Sequence, residues 1–119
     1  MTDRLEDFEQ FRADLNEEIL GCGHLGMKRF FALDHQAYEE GALDTKTKEL
    51  LGLVASMVLR CDDCITYHLV RAAEVGWSRN EVIDALNVAL VAGGPITVPH
   101  VRRAFHRMRA IRGLAPDVK

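Results

Sequence analysis

The chain has 119 residues, 48% apolar and 28% charged, with a formal net charge of −3. That length suits a single core, and the composition is that of a folding chain and not a disordered one. No apolar run approaches the ~18 residues of a membrane span. The charged opening Met1-Thr2-Asp3-Arg4-Leu5-Glu6-Asp7 has no secretory apolar region, so a soluble cytoplasmic protein is expected.

Every segment reads as helix. Leu5, Phe8, Phe11, Leu15 and Ile19 recur at spacings of three and four, predicting an amphipathic helix over about 3–20. Gly21-Cys22-Gly23-His24-Leu25-Gly26 breaks that pattern with three glycines in six residues. A second helix is expected from Met27 to Glu40, carrying Phe30, Phe31 and Tyr38, with Gly41 as the C′ residue that stops it. Asp44 is an N-cap for a third helix from about Thr45 to Arg60, with Leu50, Leu51, Val54, Met57 and Val58 as its apolar face. A fourth helix follows from the cysteine motif to Gly76. Ser78 and Glu81 form a capping box for a fifth, about Arg79 to Ala92, with Trp77 and Val82 placed as a hydrophobic staple. Pro95 and Pro99 put the start of a sixth near 96–99, running to about Ile111. Ile96-Thr97-Val98 is too short for a strand and lies between prolines. The expected fold is a compact all-α bundle of five to six helices, one domain over 1–119 with a core over about 24–112.

Charge is unevenly placed. The first 20 residues carry seven acids against two arginines, whereas 99–119 carry Arg102, Arg103, Arg107, Arg109, Arg112 and Lys119 against Asp117. The basic tail lacks interleaved aromatics, the sequence pI is about 5.9, and no nucleic-acid module is recognisable, so nucleic acid is not an expected partner.

The chemistry concentrates in Leu59-Arg60-Cys61-Asp62-Asp63-Cys64-Ile65-Thr66-Tyr67-His68. Two cysteines three apart at the start of a helix are neighbours whose sulfurs can meet in a disulfide. Unpaired backbone N–H groups there favour a thiolate. His68, one turn beyond Cys64, can take its proton or stabilise its thiolate. Asp62 and Asp63 act in the opposite direction, since carboxylates beside sulfur raise the energy of a thiolate. Three readings follow from spacing alone. One is a redox pair. Another is a zinc site with Cys61, Cys64 and His68, completed by Glu49, His24 or Cys22, making a metal-stabilised interaction module. The last is a pair of inert core thiols. Three cysteines with two in one short motif do not suit a secreted disulfide scaffold. Cys22 reads as a lone structural thiol, Tyr67 as packing, and His24, His35, His100 and His106 as surface or core histidines. Glu49 taken alone reads as a solvated or first-turn acid.

The set Glu49-x11-Cys61-x-x-Cys64-x3-His68 resembles the signature of the alkyl hydroperoxidase D branch of the carboxymuconolactone decarboxylase superfamily, and the flanks Gly41–Leu50 and Ala72–Leu86 agree. The similarity spans roughly 24–112. It implies an all-helical fold assembling as a trimer or hexamer, and a thiol-dependent peroxidase or disulfide reductase serving antioxidant defence. In that pattern Cys64 attacks a hydroperoxide, Cys61 resolves the sulfenic acid to a disulfide, and Glu49 with His68 forms a proton relay. The resemblance also implies that electrons come from a reduced dithiol protein, lipoyl-bearing in some relatives, and not from a bound cofactor. Glu49 precedes Cys61 by twelve residues, about 18 Å along a helix. The relay therefore needs helices three and four to cross, as the resemblance implies. The alternative that the resemblance leaves is the superfamily's namesake chemistry, decarboxylation of a lactone acid, although that branch lacks the cysteine pair.

Overall fold

The computed structural model describes residues 4–117. Asp3, at the start of the first expected helix, and Lys119 of the basic tail lie outside the described residues, as do Met1 and Thr2. Among the described residues there are six α-helices, α1 (Leu5–Gly21), α2 (Leu25–Ala37), α3 (Thr45–Val58), α4 (Asp62–Glu74), α5 (Arg79–Gly93) and α6 (Val98–Met108), with one 3₁₀ turn at Pro95–Thr97. Among the described residues there is no strand, and no helix is long and apolar enough to cross a membrane. The fold is all-α. The helices group into two units, Met1–Glu40 and Gly41–Lys119.

The first unit holds α1 and α2. Gly23, at φ 86°, makes the turn between them, and the His24 ring then caps α2 by accepting the Met27 N–H at 3.3 Å. α2 stops at Ala37, three residues before the expected Glu40. Its end tightens into 3₁₀-type bonds, Tyr38 N–H to His35 O and Glu39 N–H to Gln36 O, which close the helix without a glycine. Gly41 is therefore not its C′ residue; its amide donates to Leu43 O in the loop before α3. No side chain of α1 or α2 is buried, and Phe11, Phe30 and Leu33 are each about two-thirds exposed.

The second unit holds the core. Asp44 Oδ1 accepts the Thr47 N–H at 2.8 Å and opens α3. α3 packs along both α4 and α5, and α6 lies on α4. Leu53, Met57, Leu69, Ala72, Val82, Ala89, Met108 and Leu114 have no solvent exposure; burying a residue such as Leu53 or Leu69 contributes about 1.5–3 kcal/mol.

The buried face of α3 is Glu49, Leu53, Ser56 and Met57, so of the expected apolar face only Met57 is interior. Leu51 and Val58 are exposed, and Leu50 and Val54 line an open apolar groove against α5 with Trp77 and Val88. α3 is apolar on more than one side, so its sequence could not say which side turns inward.

The capping box is formed: Ser78 Oγ accepts the Glu81 N–H at 3.2 Å and Glu81 Oε1 accepts the Ser78 N–H at 2.9 Å. Trp77 Nε1–H donates to Lys46 O at 2.8 Å, and the Lys46 ammonium stands 4.4 Å from the indole centroid, tying the α4–α5 turn to the first turn of α3. Gly93 lets α5 approach its surroundings closely, since a Cβ there would stand 2.6 Å from Thr97 Cγ2. α6 begins at Val98 after the 3₁₀ turn and ends at Met108, three residues short of the expected end.

Candidate functional site

The site is built on the turn from α3 to α4. Leu59 caps α3, and Arg60 at φ 61° takes the left-handed conformation that a glycine usually supplies. Arg60 N–H donates to Met57 O at 3.0 Å and Cys61 N–H to Ser56 O at 3.1 Å, which is the Schellman pattern. The chain thus reverses within two residues, and Cys61 becomes the N-cap of α4.

Cys61 Sγ accepts the Cys64 N–H at 3.3 Å. The two sulfurs are bonded to each other, with Cα atoms 5.2 Å apart, in the ordinary range for a disulfide. Cys64 is exposed, whereas Cys61 is half-buried. The Cys61 sulfur therefore takes up one amide of the helix start, and Cys64 is the more exposed residue of the pair.

One turn further, His68 is buried and its Nδ1 lies 3.0 Å from Glu49 Oε1. A carboxylate only accepts, so Nδ1 carries the proton and Nε2 of a neutral ring is the basic nitrogen. Glu49 is 1% exposed, which overturns the solvated-acid reading of that residue alone. The antiparallel packing of α3 on α4 brings it to His68 across the helices. Its second oxygen accepts from Arg71 Nε at 3.2 Å, and Arg71 Nη1 also donates to Glu74 at 2.7 Å. The Glu74 hydrogen bond, followed by that to Glu49, raises the Arg71 pKa against the opposing effect of partial burial. Tyr67 packs edge-on to the imidazole with centroids 5.1 Å apart.

The structure thus places all four signature residues, Glu49, Cys61, Cys64 and His68, in one region joined by the first two turns of α4. Arg71 was missed, although its spacing of three from His68 puts it on the same helical stripe. His100 reads from the sequence as a surface or core histidine, yet its Nδ1–H donates to Asp62 Oδ1 at 2.7 Å, and Arg103 Nη1 donates to Asp62 Oδ2 at 3.2 Å. No local signal marks that pairing, because 38 and 41 residues separate the partners. Cys22 is an exposed free thiol in the first unit. Among the described residues no three His, Cys, Asp or Glu side chains converge as a metal-ligand set.

Comparison with known proteins matches residues 25–107 to the sequence model of the carboxymuconolactone decarboxylase family. The chain is similar to the uncharacterized protein 4 in the cox locus of Paracoccus denitrificans, at 29% identity over 84 residues, 71% of this chain and 76% of that one. An uncharacterized Cupriavidus necator protein is 26% identical over 91 residues, 74% of this chain and 80% of its own. A crystal structure of a carboxymuconolactone decarboxylase family protein from Thermotoga maritima superposes with a TM-score of 0.81 at 55% identity, covering 85% of this chain and 86% of that chain. Involvement in an antioxidative response has been suggested for that protein. The fold alone is shared with a Legionella pneumophila member of the same family, TM-score 0.78 at 23% identity over 97% of this chain and all of that one. With the family's pattern matched over most of its length, this chain belongs to the carboxymuconolactone decarboxylase family.

Proposed function

We propose that the protein is a cytoplasmic thiol-dependent peroxidase or disulfide oxidoreductase of the alkyl hydroperoxidase D-like branch. The carrying observation is the bonded Cys61–Cys64 pair at a helix start, one turn from the buried His68–Glu49 pair. The reaction begins with the dithiol. His68 accepts the Cys64 proton, and the thiolate attacks one oxygen of a hydroperoxide. The O–O bond breaks, the alcohol leaves with that proton, and Cys64 becomes a sulfenic acid. The Cys61 thiol then attacks the Cys64 sulfur, forming the disulfide and releasing water. Reduction reverses the oxidation through a partner dithiol, such as a lipoyl group. A donor thiolate attacks exposed Cys64, and Cys61 leaves as a thiolate favoured by the helix-start amides. The donor's second thiol displaces Cys64, so the net products are alcohol, water and oxidised donor. Glu49 fixes the His68 tautomer and balances the imidazolium charge, and Arg71 holds Glu49 in place.

Reduced protein treated with excess hydroperoxide should lose both motif thiols, and Cys64→Ser should lose turnover. Retention of both thiols, or full turnover by Cys64→Ser, rules the mechanism out. The exposed apolar side chains Phe11, Phe30 and Leu33 also support assembly as a homo-oligomer, a trimer or hexamer, which would bury them. Light scattering reads this directly, and a monomer is the contrary result.

A further inference from the structure

The charge cluster at the opening of α4 plays no part in the reaction above, and its carboxylate belongs to a residue that stands between the two cysteines in the chain. Asp62 follows Cys61 directly and precedes Cys64 by two residues, with Asp63 between them. A carboxylate so placed destabilises a thiolate on either sulfur and opposes the helix-start amides. Left alone, Asp62 would favour the disulfide over the dithiol. It is not left alone. α6 contributes His100 and Arg103, one turn apart, and each binds a different oxygen of the Asp62 carboxylate.

The exposures say what this cluster is not. The Arg103 side chain is 60% exposed and that of Asp62 is 43% exposed, and so open an ion pair adds little to stability. Its field is a different matter, since a guanidinium held against Asp62 cancels that negative charge where the sulfurs feel it. α6 carries Arg102, Arg103 and Arg107 and no acid, so the balance it brings to α4 is positive.

We infer that Arg103 is a positioning residue that sets the reduction potential of the Cys61–Cys64 pair by neutralising Asp62, whose carboxylate His100 helps to hold in place. This rests on the redox reading of the pair. Neither residue touches a sulfur; they act through the carboxylate. Removing Arg103 uncovers Asp62, destabilises the thiolate form and makes the pair more reducing. Removing the Asp62 charge while Arg103 remains does the reverse. The two substitutions break the same ion pair and move the potential in opposite directions, which a purely structural role cannot do.

The test is redox titration of the full-length protein against glutathione, with Arg103→Gln, Asp62→Asn, the double variant and Arg103→Lys. For a unit charge within several ångströms near the surface, about a three- to tenfold change in the exchange equilibrium is expected, tenfold being about 30 mV. Arg103→Gln should shift toward the disulfide and Asp62→Asn toward the dithiol. The double variant and Arg103→Lys should stay near wild type. Iodoacetamide alkylation of the reduced protein should slow and quicken in the same order, and the differences should shrink in about 1 M salt. Wild-type and variant proteins that share one potential, or that shift in the same direction, overturn the inference while leaving the redox pair standing. A wild-type protein with no reversible two-electron couple overturns the redox reading itself, and the inference with it.

Discussion

Replacing Glu49 by Gln removes one charge from a buried polar contact of the core while keeping its shape. The Glu49 carboxylate is 1% exposed and accepts two charge-assisted bonds, from His68 at 3.0 Å and Arg71 at 3.2 Å. Glutamine keeps an oxygen for the His68 Nδ1–H but turns an NH₂ toward the Arg71 donor. Breaking a fully buried pair costs about 3–5 kcal/mol. Arg71 retains Glu74 at 2.7 Å and its side chain is 31% exposed, so its charge is not stranded. The loss should therefore be smaller, about 1–3 kcal/mol. At about 4 °C per kcal/mol for a chain of this size, Tm should fall by about 4–12 °C. The chemistry should suffer more, because an amide cannot balance an imidazolium. Oxidation of Cys64 by hydroperoxide, followed by stopped flow, should slow by about 10²–10⁴-fold, with both thiols still present in the reduced protein. A rate within about threefold of wild type, alongside the stated fall in Tm, would reduce Glu49 to a packing partner. An unchanged Tm would refute the energetic argument for the buried network.

Other consequences can be checked by routine measurement. Gly93→Ala sets a Cβ 2.6 Å from Thr97 Cγ2, and Thr97 is wholly buried with its hydroxyl donating to Gly94 O at 2.8 Å. A loss of about 1–3 kcal/mol is expected in urea denaturation, and a loss below about 0.5 kcal/mol would contradict the tight fit. Arg60→Gly relieves about 1–2 kcal/mol of left-handed strain against about 0.5–1 kcal/mol of added chain entropy. The urea midpoint should rise slightly; a fall would mean that the Arg60 side chain contributes something the backbone argument omits. In acid, hydrogen bonds from Thr47 hold Asp44 below its ordinary 3.8, and those from Ser78 hold Glu81 below its ordinary 4.5. Groups lowered in the folded state stabilise it fully above their unfolded pKa and lose that effect as pH falls through the folded one. The wild-type Tm should thus drop from about pH 4.5 downward, and more steeply than that of an Asp44→Asn/Glu81→Gln double variant. Equal slopes would count against the caps.

What could be read from the amino-acid order alone was whatever acts over a few residues. The Asp44 cap, the Ser78–Glu81 box and the succession of helices are local, because each hydrogen bond closes within one turn. The nearness of Cys61, Cys64 and His68 follows from the same helical spacing. Where local cues competed, the order misled. Gly41 looked like a stop signal, although α2 had already ended on its own 3₁₀ bonds. The many apolar residues of α3 concealed an interior face that includes Glu49 and Ser56. Everything that makes the candidate site electrostatic was decided by tertiary packing. α3 had to run back along α4 before Glu49 could meet His68 and Arg71, 19 and 22 residues away. α6 had to lie across the start of α4 before His100 and Arg103 could reach Asp62. Charges act through space, and a distance in space between residues this far apart along the chain exists only once the helices have packed.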